Sequence, residues 1–166
     1  MTQPAGLHLA QLNVGRLVAP TGDPRVAEFM AALDRVNGLG RRMPGFVWIM
    51  EGSGAPGTGN TETKLGGDPL FVSNLTVWES VAALEHFVWN TVHRQFNDRR
   101  AKWFEVLGAM HFVLWWVPAG HRPSLDEALG RLEHLRLHGE SDHAFGWSRT
   151  RAELHRTRGC APIAAE

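Results

Sequence analysis

Hydrophobic and polar positions alternate along residues 7–18, L-H-L-A-Q-L-N-V-G-R-L-V. Ala10, Leu12 and Val14 fall on one side and Leu9, Gln11 and Asn13 on the other, which predicts a β-strand. The period then changes. After the turn P-T-G-D-P, Val26, Phe29, Met30, Leu33 and Val36 recur at helical spacing, with Asp23 as N-cap and Pro24 at the first helical position. This predicts an amphipathic helix over 24–42, stopped by M-P-G. F-V-W-I-M-E, 46–51, and L-F-V-S-N-L-T-V-W, 70–78, read as strands. A long helix is expected from Ser80 to Leu107, and M-H-F-V-L-W-W-V, 110–117, as a fourth strand. Ser124 and Glu127 form a capping box for a helix over 125–138, ended by Gly139. A short strand, A-F-G-W-S at 144–148, closes the pattern.

Two stretches lack periodicity. Residues 52–69 are glycine-rich but contain no G-x-x-x-x-G-K-[ST] pattern, so a phosphate cradle is not expected, and a mobile loop or pocket lid competes with plain disorder. Residues 151–166 form a polar tail, expected to fray. One domain over 1–150 with a flexible tail is the expected organisation.

The order is β-α-β-β-α-β followed by an extra helix and strand. That is an α+β, ferredoxin-like arrangement, with an antiparallel sheet and helices on one face. Such a sheet should alternate apolar-in and polar-out. These strands do not. The fourth sets Met110, Phe112, Leu114 and Trp116 opposite His111, Val113, Trp115 and Val117; the second sets Phe46, Trp48 and Met50 opposite Val47 and Ile49. With helices covering one face only, the other needs a second copy of the sheet. The expectation is a homodimer closed face to face, a dimeric α/β barrel.

Composition narrows the function classes. Lys plus Arg and Asp plus Glu both number 17, which argues against a general nucleic-acid or membrane-surface binder. The single cysteine, Cys160, excludes an internal disulfide and a cysteine-rich metal site. With neither a signal segment nor a membrane-spanning run evident, a cytoplasmic protein is expected. Seven Trp and nine His suggest aromatic pockets and acid–base or ligand groups. No G-x-S-x-G elbow and no dinucleotide fingerprint is present, so neither a serine hydrolase nor a bound nicotinamide or flavin is implied.

The segments H-L-A-Q-L-N-V, M-P-G-F-V-W, V-W-E-S, H-R-Q-F, W-F, W-W-V-P-A-G-H-R-P-S, E-A-L-G-R-L-E-H-L and A-F-G-W carry a resemblance. The chain resembles a bacterial domain-of-unknown-function family of the dimeric α/β-barrel superfamily, which includes the antibiotic-biosynthesis-monooxygenase-like enzymes. The likeness spans about residues 7–148. It implies a pocket between sheet and helices, and a range of activities: cofactor-free monooxygenation of polyketide quinols, haem binding or degradation, isomerisation, cyclisation and dehydration. Haem-degrading members carry an Asn on the first strand and a Trp and a His on the second helix. Asn13 matches the first; Phe87 and Asn97 stand where the Trp and His would be.

Candidate groups follow. His86, Trp89, Asn90, His93 and Asn97 line one face if the second helix is continuous. His86 and His93 would lie about 10 Å apart along such a helix, too far to share a small metal ion. One of them as general base, or as a haem ligand (His93 or His86), survives that test; a half-buried structural His is the competing reading. Asn13 is the candidate for stabilising a developing oxyanion. Gln11, Trp89, Asn90, Trp103, Trp116 and His121 are candidates for binding substrate, His121 and Arg122 through an anionic group. Asn74 and Thr76 form a polar pair resembling Gln11 and Asn13. His134 and His138 have i,i+4 spacing but lack an evident third ligand. Three functions stay open: an enzyme on an aromatic or polycyclic small molecule using His general acid–base catalysis, a haem-binding or haem-dependent protein, and a non-catalytic binding module.

Overall fold

The computed structural model describes residues 3–52, 67–91 and 93–150. The glycine-rich stretch, apart from its two ends, and the tail lie outside the described residues. The chain runs β1 (Leu7–Arg16), α1 (Ala27–Gly40), β2 (Phe46–Ile49), β3 (Phe71–Trp78), α2 (Val81–Asn90), α3 (His93–Arg99), β4 (Phe112–Pro118) and α4 (Leu125–His138). The strands pair antiparallel in the order β2-β3-β1-β4, the ferredoxin-like order. No helix among the described residues is long and apolar enough to cross a membrane.

Local signals act where the sequence places them. Asp23 accepts a hydrogen bond from the Arg25 backbone and opens a short 3-10 turn that leads into α1. Ser80 caps α2, and Ser124 caps α4 through the Glu127 backbone N–H.

Three element predictions are corrected. The helix expected over 80–107 breaks at Thr91, which adopts an extended conformation. The Thr91 hydroxyl donates to the Phe87 carbonyl at 2.6 Å and accepts the His93 backbone N–H at 3.2 Å. One side chain thus ends α2 and starts α3, a local bond competing with the helical ladder. The strand expected at 144–148 is a single bridge from Phe145 to Leu114, and a helical turn begins at Trp147. Its cause is Glu140, whose carboxylate accepts the Gly146 N–H and the Ser148 hydroxyl. In β2 a bulge between Phe46 and Trp48 resets the alternation. Phe46 therefore packs beside Trp78, whereas Val47, Trp48 and Met50 all pack on the opposite cluster.

The sheet has two covered faces. Leu9, Trp78, Leu114, Phe112 and Trp116 pack with Leu84, Phe87 and Val88 of α2. Ala10, Leu12, Val14, Leu75, Val77, Val113, Trp115 and Val117 pack with Ala128, Leu132 and Leu135 of α4. The extra C-terminal helix thus gives, within one chain, the cover that the sequence pattern assigned to a second copy. The premise for face-to-face closure is removed.

Candidate functional site

On the α2 side of β1, Leu9, Gln11 and Asn13 follow one another at every second position. Gln11 pairs with Thr76 on β3 and Leu114 on β4; Asn13 pairs with Asn74 and Phe112. These residues form a polar strip on the two central strands. Thr76 and Gln11 are buried, Gln11 only 6 % exposed. The Trp78 indole N–H donates to Thr76 Oγ1 at 2.9 Å, and the Thr76 hydroxyl donates to Gln11 Oε1 at 2.8 Å. Gln11 Nε2 meets no hydrogen-bond partner among the described residues. The Asn13 and Asn74 carboxamides likewise make no hydrogen bond among the described residues.

Asn13 is exposed even though it sits mid-strand on the face that α1 and α2 flank. The helices therefore leave this part of the sheet open. α1 buries only Gly40, and Leu33 and Val36 stay half-buried, so the helix stands off the strip.

Aromatic rings rim the strip. Phe87 stacks on Trp78 at 5.3 Å, with Phe46 edge-on to the indole. His93 tilts against Phe87 at 4.9 Å. Phe112, beside Asn13, stacks on Trp147 at 5.3 Å, and Trp147 meets Trp89. At the other end Phe104 lies over Gly15, where a Cβ would come within 2.6 Å of the ring. Gln11, Thr76, Trp78, Phe87 and His93 thus form one continuous run of contacts.

His93 is a half-buried base. Burial pushes its pKa down, and a hydrogen bond to the Val88 carbonyl partly opposes the shift. Its Nδ1 is buried and unpartnered among the described residues. Haem ligation needs a ring nitrogen open to the iron. Nδ1 is enclosed here, so His93 would have to turn out of its contact with Phe87 to present it to an iron, as it would to take a proton through it.

The other expected site residues disperse. His86 and Asn90 pair with each other at 3.3 Å on the exposed side of α2, because the break at Thr91 removes the shared face with His93. Trp103 is buried against Phe29 and Phe96, with the Arg99 guanidinium over its ring. Trp116 packs on Phe145. His121 lies at the start of α4 and bonds Glu127, which also accepts the Trp115 indole N–H. Trp115 belongs to the opposite face, so His121 is remote from the polar strip. His134 has both His138 and His143 against its ring, at 4.7 and 4.5 Å. No group of three His, Cys, Asp or Glu among the described residues could hold a metal ion.

Sequence reasoning passed over Trp78, Phe87, Phe112 and Trp147 as site residues. Period-two alternation alone places Trp78 on the Thr76 face; the stacking of α2 on it is a long-range fact.

A family model described as Domain of unknown function (DUF3291) matches residues 8–159, so the chain belongs to that family. No curated protein and no solved structure matches it.

Proposed function

We propose that this DUF3291 chain binds a small, uncharged aromatic molecule over the Gln11–Asn13–Asn74 strip, with His93 as its proton acceptor. The observation that carries this is Gln11: a largely buried side chain whose Nε2 meets no partner among the described residues and is not itself enclosed, beside an exposed Asn13 in the middle of a central strand. A donor that reaches the surface from the middle of a central strand, among aromatic rings, is a place for a ligand group. The lining supports the ligand class. Gln11, Asn13, Asn74 and Thr76 are neutral, the rim is aromatic, and burial favours the neutral form of His93. No cation or carboxylate stands among these residues to hold a charged ligand.

Cofactor-free oxygenation, isomerisation and cyclisation of such molecules all begin by removing a proton next to a carbonyl. The Asn13 and Gln11 amides are suited to the charge that then develops on oxygen, and a neutral imidazole to the proton. Proton transfer requires His93 to turn out of its contact with Phe87, and the chain break at Thr91 is the natural pivot. The ferredoxin-like strand order supports membership of the dimeric α/β-barrel superfamily.

The test uses 9-fluorenone, a planar aromatic ketone. It should quench tryptophan fluorescence of the wild-type protein saturably. Asn13→Val should keep or raise the melting temperature, since valine suits a strand better. It should weaken fluorenone binding by about tenfold, the usual worth of one hydrogen bond. Equal binding by both proteins would remove Asn13 from the site.

A further inference from the structure

The hydrogen-bond chain beneath the strip has a direction. An indole N–H can only donate, so at Thr76 Oγ1 it must be accepted. The hydroxyl has one hydrogen, and that hydrogen goes to Gln11 Oε1. The carboxamide is thereby locked with its oxygen toward β3 and its two N–H groups free. Asn13 and Asn74 have no such lock, so either can present an oxygen or a nitrogen to a ligand. Gln11 can do so only by donating to the second lone pair of Thr76 Oγ1, which leaves the Thr76 hydroxyl hydrogen without the partner it has here.

Resting on the cleft reading above, we infer that Gln11 sets the polarity of recognition: it offers only donors, so the ligand carries an acceptor oxygen, of the aryl ketone or quinone carbonyl type, over this residue. A ligand presenting a carbazole-type N–H there, with no lone pair to accept, would face two hydrogens and leave both sides unpaired. A site built around a fixed donor rejects such ligands far more strongly than an apolar pocket does.

Three planar tricycles of nearly one shape separate the outcomes. 9-Fluorenone places a carbonyl at the bridging position, fluorene a methylene, and carbazole an N–H. Affinities are read by tryptophan fluorescence, and the Gln11 side-chain N–H₂ resonances by ¹⁵N NMR. Fluorenone should bind about tenfold tighter than fluorene or carbazole and shift the Gln11 N–H₂ signals. Thr76→Val removes the lock at nearly constant volume and lets the carboxamide turn. Fluorenone and carbazole should then bind within about threefold of each other, since one hydrogen bond no longer separates them. If Thr76→Val does not fold, Thr76→Ala makes the same test by removing the hydroxyl that donates to Gln11 Oε1. Wild-type protein that binds all three equally, or carbazole best, would overturn the polarity and leave the cleft standing. A full fluorenone preference in the folded Thr76→Val protein, or in Thr76→Ala where that is tested, would overturn the lock. Wild-type protein that binds none of the three would sink the cleft reading itself.

Discussion

At the scale of single residues, His93 joins a structural observation to a measurable pH dependence. Burial lowers its pKa from the ordinary 6.5, and the Val88 carbonyl only partly compensates. Below about pH 6.5 the unfolded chain takes a proton that the folded chain refuses. The stability linked to His93 is therefore complete above that pH and is lost as pH falls toward the folded value. His143 is shifted in the same direction, by burial and by the Arg131 charge, so part of the slope belongs to it. Urea midpoints of wild type and His93→Gln, compared at pH 7.5 and 5, should show a smaller acid loss in the variant. Identical losses would mean that His93 charges freely in the folded state. The sequence singled out His93 and Asn13 by residue type and position. It gave them the company of His86 and Asn90, which the structure places outside.

Whole elements were legible where a local signal set them. The caps at Asp23 and Ser124 act where sequence puts them because each bonds a backbone N–H two or three residues on. The failures at Thr91, in β2 and at 144–148 share a cause: a side chain or bulge redirects the backbone within a segment whose pattern is otherwise regular. Gly45 illustrates how tightly such junctions are built. It has φ +79, its carbonyl accepts the Glu79 N–H, and a Cβ there would lie 2.5 Å from the Ala83 methyl. Gly45→Ala combines a left-handed backbone with overpacking against α2, which together cost about 3 kcal/mol. For a domain of this size the melting temperature should fall by roughly 10 °C. A circular-dichroism melt within 2 °C of wild type, a margin of about half a kcal/mol, would contradict this account of the β2–α2 junction.

For the molecule as a whole, α4 covers the sheet face opposite to the one proposed to bind a ligand. Leu132 is fully enclosed between α4 and the sheet, on the side away from Gln11. Leu132→Ala should cost about 2–5 kcal/mol by urea unfolding. It should leave the fluorenone affinity of the folded protein unchanged. A large loss of affinity without unfolding would show that the two faces are not independent.

The sequence by itself determined the α+β class, the strand order's ferredoxin-like character, and which residues share a strand face. Those follow from Cβ geometry repeated every two or 3.6 residues, a strictly local property. Only the tertiary structure decided what covers each face and which polar atoms find partners. Gln11 and Thr76 stand 65 positions apart, and α4 reaches β1 from the other end of the chain. No local period records such meetings, so the two-sided apolar sheet admitted a second copy as readily as a helix of its own chain.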